Sequence, residues 1–254
     1  MFKNYISVIS VLYYVGIQLS HEACSSEGPI LQTLNGKISG ACKSTPVYYT
    51  NDITITDVLT WKKVPFAEPP INENRFKAPV PVKSWPGVLD GSVFSNACLQ
   101  YDTDEQSSSE DCLYLNIFVK ANSYLNKNVT LKPILVFIHG GALVSGSSSL
   151  YEPSTLVALG DIIVVTINYR LHALGFFHAA GTDATGNQGI LDQTLALKWI
   201  YDNARSFGGD NSKITISGES AGGWSVGHQL HYQNSWPYYR NAIIQSGSPT
   251  GKGI

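Results

Sequence analysis

The chain is poor in charge. Lys, Arg, Asp and Glu make up only 14% of its 254 residues, against about a quarter in an ordinary soluble domain. No run of Lys and Arg occurs and the net charge is -2, so there is no basic field to hold a phosphate backbone, and nucleic acid is excluded as an expected partner. The apolar stretch from Ile6 to Leu19 is too short to span a bilayer comfortably, which argues against stable membrane insertion. Cysteine is scarce as well. The four present form no CxxC pair and have no histidine cluster beside them, so no zinc site is expected. Against these absences stands a hydrophobic content of 43%, enough for a large core under a nearly neutral surface.

Lys3 ahead of Ile6 to Leu19 reads as a secretory leader over residues 1–23, with cleavage near Ser20 or Ala23 left open. That places the remaining chain, residues 24–254, in an oxidising compartment, secreted or extracellular. There Cys24, Cys42, Cys98 and Cys112 form an even set with three possible pairings, of which nearest-neighbour pairing is favoured. Asn128-Val129-Thr130 is the one glycosylation sequon, in a polar stretch that reads as surface loop.

From Cys24 to about Gln106 the chain consists of short runs broken by Pro, Gly and Asn, which predicts hairpins and irregular loops. Beyond Glu110 the texture changes. Residues 115–119, 134–138, 162–167, 214–217 and 242–245 are short apolar runs rich in β-branched residues, the pattern of strands covered on both faces. A helix is predicted over 187–207, where Leu191, Leu195 and Trp199 recur every four residues, and Gly208-Gly209-Asp210 stops it. Ser107 to Ser109 reads as a solvated loop. Alternation of strand and helix predicts an α/β fold with a mostly parallel central sheet and no linker to divide it.

Two turns in this frame carry chemistry. Gly218-Glu219-Ser220-Ala221-Gly222 lies between a predicted strand ending at Ser217 and a helix beginning at Ala221. A tight strand-to-helix turn forces strained dihedrals, and the flanking glycines let the two segments approach closely, so that Ser220 projects into the open as a nucleophile. The helix N-terminus behind it favours a developing oxyanion. The second turn, His139-Gly140-Gly141-Ala142, follows the strand 134–138 and can aim backbone N–H groups from the same end of the sheet.

These motifs resemble the type-B carboxylesterase and cholinesterase family of α/β-hydrolases. The resemblance runs from about Gly36 to Ser248 through "VPFAEPP" at Val64, "RFKAP" at Arg75, "EDCLYLNIF" at Glu110, "FIHGGA" at Phe137, "NYRLHALGF" at Asn168, "GNQGILDQTLALKWI" at Gly186, "FGGD" at Phe207, "GESAGG" at Gly218 and "QSGSP" at Gln245. It implies an α/β-hydrolase fold with Ser220 as the acylating nucleophile. By the same resemblance Gly141, Ala142 and Ala221 supply the oxyanion-hole N–H groups, Glu219 is an electrostatic neighbour, and Cys98 and Cys112 close a disulfide loop. Arg75 with Glu110, and Arg170 with Asp192, are the implied structural ion pairs. The implied activity is hydrolysis of a small-molecule carboxylic ester, with no metal or organic cofactor.

Two features depart from the family pattern. Ala142 stands where a third glycine is usual, and residues 99–111 of the disulfide loop contain no tryptophan to receive a quaternary ammonium, which argues against choline esters. The family takes its acid and histidine from after the nucleophile. His228 and His231 lie eight and eleven positions beyond Ser220, so a helix would carry them roughly 12 to 16 Å along its axis. The expectation is therefore an N-terminal portion of a larger hydrolase, ending after the strand that follows the nucleophile and lacking the acid and histidine. A non-catalytic cholinesterase-like binding or adhesion module, or an inactive short product, is the alternative.

Overall fold

The apolar runs become strands and the four-residue repeats become helices. A computed structural model describes residue 24 and residues 28–49, 52–101, 107–125 and 130–250. The expected leader and the sequon residue Asn128 lie outside the described residues. In chain order the elements are β1 (Ile30–Gln32), β2 (Lys37–Ser39), β3 (Ala41–Tyr49), β4 (Asp52–Pro65), β5 (Val88–Asp90), β6 (Ala97–Cys98), β7 (Ser108–Ser109), β8 (Tyr114–Lys120), α1 (Ala121–Leu125), β9 (Lys132–Ile138), α2 (Ser154–Gly160), β10 (Ile163–Ile167), α3 (His172–Phe176), α4 (Gln188–Asn203), β11 (Gly209–Glu219), α5 (Ala221–His231) and β12 (Asn241–Gln245).

The main sheet has the order β12-β11-β9-β10-β8-β4-β3. Its β12, β11, β9 and β10 are mutually parallel, while β8, β4 and β3 add on antiparallel. Alternation along that antiparallel end leaves five of the seven strands pointing one way. A small side sheet joins β1, β2 and β5.

Register decides where the core sits. Ile134 lies beside Ile163 and Ile214, Val136 beside Val165 and Ile216, and Ile138 beside Ile167, so one sheet face is ruled with branched side chains. Ala196, Leu197 and Ile200 of α4 and Val226 of α5 join them in one buried cluster. Each large side chain so covered contributes about 1.5 to 3 kcal/mol.

The buried side of α4 also holds polar residues. Leu191 and Leu195 are only half-buried, whereas Asp192 and Gln193 are fully enclosed. Partners explain the rotation: Asp192 pairs with Arg170, and Gln193 Nε2 donates to Ser225 Oγ at 2.9 Å. After a short 3-10 turn over Ala204–Phe207, Gly208 at φ +82° ends the helix, a left-handed position that glycine adopts without penalty.

Both disulfides join nearest neighbours: Cys24 to Cys42 with Cα atoms 5.3 Å apart, and Cys98 to Cys112 at 4.9 Å. The serine patch departs from the solvated loop expected of it. Ser108 and Ser109 form β7, paired in parallel with Ala97 and Cys98 and half-buried beside the second disulfide. Among the described residues, no helix is long and apolar enough to cross a membrane.

Candidate active site

β11 delivers the chain to Glu219, α5 leaves from Ala221, and Ser220 is the single residue between them. Its backbone sits at φ +55°, ψ -121°, a conformation that costs a non-glycine residue on the order of 1 to 3 kcal/mol unless the surroundings enforce it. They do. Ser220 N–H donates to Gln245 O at 2.9 Å, and Trp224 N–H donates to Ser220 O at 3.0 Å, so the apex is tied to β12 and to the first turn of α5. Gly222 presses against β9 so closely that a Cβ there would lie 2.0 Å from Ile138 O. Ser220 is half-buried, and its Oγ has no hydrogen bond to a described residue and is not sealed from solvent.

The turn after β9 reaches the same place. A Cβ on Gly140 would lie 3.1 Å from both Ser220 Cβ and Glu219 Oε2, so only the missing side chain at 140 lets the two turns meet. Gly141, Ala142 and Leu143 follow at φ +106°, +55° and +61°. Three successive left-handed residues make a reversed turn, closed where Val144 and Ser145 both donate to Gly141 O at 2.9 Å. Ala142 adopts this conformation despite its methyl group. Among the described residues, none of the amides of Gly141, Ala142 and Ala221 donates to a protein acceptor. Unpaired N–H groups beside an open hydroxyl are what an oxygen gaining negative charge requires.

Several residues hold this turn. His139 is buried and stacks on Tyr169 with ring centroids 4.4 Å apart. Burial pushes its imidazole down to about 4, so at neutral pH it is uncharged and Nδ1–H donates to Gly140 O at 2.8 Å. Tyr169 Oη–H donates to His139 O at 2.9 Å. His172 N–H donates to Leu143 O at 2.9 Å. Gln100, inside the second disulfide loop, brackets Gly146 by accepting its N–H and donating to its carbonyl, both at 2.8 Å.

Arg75 meets Glu110 through two bonds of 2.6 and 2.8 Å. Arg170 and Asp192 form a buried bidentate pair at 2.8 and 2.6 Å; burial raises the Asp192 carboxyl and the guanidinium opposes that rise. Asn168, between Tyr169 and β10, donates to Cys112 O and accepts from Ser148 N–H, which ties the disulfide to the segment carrying Arg170.

No described histidine or carboxylate hydrogen-bonds to Ser220 Oγ. His228 and His231 are exposed on α5, His178 is exposed, and His172 keeps its Nε2 buried and unpartnered. Among the described residues, one cluster has the makeup of a metal site, Cys24, Cys42 and Asp57. Both thiols there are consumed by a disulfide, leaving a single carboxylate.

A mostly parallel sheet, a strand–serine–helix elbow and an adjoining glycine turn define an α/β-hydrolase fold. Within that class the chain belongs to the carboxylesterase family, whose model matches residues 27–253. It is 44% identical over 204 residues to human cocaine esterase, covering 75% of this chain and 36% of that protein. With para-nitrobenzyl esterase of Bacillus subtilis (strain 168) it shares 40% identity over 230 residues, 86% of this chain and 44% of the relative. Acetylcholinesterase of Electrophorus electricus is 43% identical over 210 residues, 76% of this chain and 32% of the relative. The chain thus spans between about a third and under half of the length of these relatives.

Proposed function

We propose that this chain carries the nucleophile and oxyanion half of a secreted serine esterase acting on small carboxylic esters. Ser220 Oγ attacks the ester carbonyl, and the carbonyl oxygen becomes an anion received by the N–H groups of Gly141, Ala142 and Ala221. Collapse of the tetrahedral species breaks the bond to the alcohol and leaves an acyl group on Ser220. Water then attacks that acyl carbon, releasing the acid and restoring the hydroxyl. Glu219 contributes negative charge next to the site. The observation that carries the reading is a Ser220 Oγ on a strained apex that, like the three neighbouring amides, has no hydrogen-bond partner among the described residues.

The hydroxyl proton needs an acceptor, and we assign it to a histidine outside this sequence, with its acidic partner. Secretion rests on the leader-like segment with Lys3 ahead of its apolar run and on four cysteines that pair completely; Asn128 is the proposed glycan site. A second reading, a binding module without catalysis, draws support from the lack of any described base at Ser220.

Fluorophosphonate labelling with peptide mapping separates the two. The esterase reading expects slow, irreversible modification of this chain at Ser220, abolished in Ser220→Ala. Modification elsewhere, or none after prolonged incubation, overturns it. Rapid ester turnover by this chain would overturn the assignment of the base to an outside histidine.

A further inference from the structure

Two histidines sit in the last turn of α5 and take no part in the serine chemistry. His228 and His231 are three residues apart, a spacing that sets side chains on one helix face with Cβ atoms about 5 to 6 Å apart. Both are exposed, and both line one cleft of about 460 Å³ beside Ile190 and Leu191 of α4. His231 Nδ1 lies 2.9 Å from Gly227 O. A carbonyl has no proton to give, so Nδ1 carries it and the free lone pair of the neutral ring is on Nε2. The same bond draws the ring back along the helix to the level of Gly227, the residue before His228, as helical side chains lean toward the N-terminus. The ring nitrogens of His228 have no hydrogen-bond partner among the described residues.

We propose that His228 and His231 together hold one divalent transition ion, zinc or copper, with Nε2 of His231 as one ligand and a ring nitrogen of His228 as the other. Imidazole nitrogen suits these ions, whereas magnesium and calcium take oxygen. Metal-bound histidines usually donate their second ring N–H to a carbonyl or carboxylate, which fixes the ring and makes the other nitrogen more basic. The bond to Gly227 O supplies that arrangement for His231. No Lys or Arg lines the cleft to repel a cation, and the C-terminal end of α5 carries the negative pole of its helix dipole. The cysteine spacing that excludes a closed zinc site does not bear on these rings. Two protein ligands leave the remaining positions of a tetrahedral ion to water, so the site is open, and it brings positive charge to a cleft that no Asp or Glu lines either.

Calorimetric titration of the untagged chain with zinc chloride tests this. It should show saturable binding of one ion that an excess of magnesium leaves in place and that copper displaces, copper being the tighter ion at nitrogen ligands. His228→Ala and His231→Ala should each weaken zinc by at least about tenfold, no less than the loss of an outer partner of a ligand costs. His178→Ala, at an exposed histidine elsewhere, should leave the affinity unchanged. Nitrogen-15 spectra of the imidazoles read the geometry in the native chain, whether or not a variant folds. Zinc should shift the His228 and His231 signals with one common midpoint, moving Nε2 of His231 while its Nδ1 stays protonated. Zinc affinity that survives both substitutions, a His231 signal that shifts without that of His228, or the lack of saturable binding would overturn the assignment. Labelling at Ser220 enters none of these outcomes, so a failure here leaves the esterase reading standing.

Discussion

The neutral, buried His139 makes the stability of the glycine turn depend on pH. Its ordinary value of 6.5 is pushed down to about 4 in the folded chain, with burial the larger cause and the bond to Gly140 O opposing it. As pH falls below 6.5 the unfolded chain takes up the proton first, and the folded chain follows only near 4. The stability that depends on neutral His139 is therefore complete above 6.5, drains away between 6.5 and about 4, and changes no further below that. At about 1.4 kcal/mol per unit, the displacement amounts to about 3 kcal/mol. Urea unfolding at steps from neutral pH to about 4 measures the loss, and His139→Gln isolates it, because glutamine can still donate to Gly140 O and does not titrate. Native stability should fall by about 3 kcal/mol more than that of His139→Gln across this window. A gap between the two proteins that stays constant with pH would refute the reasoning.

Substitutions at three further places probe the packing. Gly222→Ala would set a Cβ 2.0 Å from Ile138 O and 2.9 Å from His139 O, and calorimetry should show a loss of about 2 kcal/mol or more, roughly 4 to 8 °C in midpoint; an unchanged midpoint would contradict the close approach at the elbow. Ala142→Gly removes a methyl group held at φ +55° and should stabilise the chain by about 0.5 to 1 kcal/mol, the gain from relieving a left-handed residue less the added freedom of the unfolded chain; a loss would mean that the methyl makes compensating contacts. Arg170→Ala strands the fully buried Asp192 carboxylate and should cost about 3 to 5 kcal/mol in chemical denaturation, whereas Arg170→Met combined with Asp192→Leu should lie nearer the native protein.

The strands beyond Glu110, the long helix and the serine elbow are legible in the sequence because each is specified locally. β-Branched runs, a four-residue repeat and small residues at fixed offsets leave marks within a few positions of where they act. The clamp on the glycine turn leaves no such mark: Gln100 and Gly146 are 46 residues apart, and their bonds join an amide side chain to backbone. Tyr169 reaches His139 across 30 residues. The motif "NYRLHALGF" marks Tyr169 by resemblance but does not say what it touches. The burial of Asp192 and Gln193 ahead of Leu191 on α4 escaped the apolar periodicity for a related reason. Partners on other elements, Arg170 and Ser225, make polar residues suitable for the core, and a pattern of hydrophobic spacing does not register them.

The central proposal is geometric: the Ser220 hydroxyl and the amides of Gly141, Ala142 and Ala221 together receive an ester's reacting carbonyl. A crystal structure of the chain after exhaustive fluorophosphonate treatment tests it most directly. The account predicts phosphorus bonded to Ser220 Oγ, with one phosphonyl oxygen about 2.7 to 3.1 Å from the amide nitrogens of Gly141, Ala142 and Ala221. An adduct whose oxygen points to solvent, or a glycine turn with those amides directed away, would contradict it.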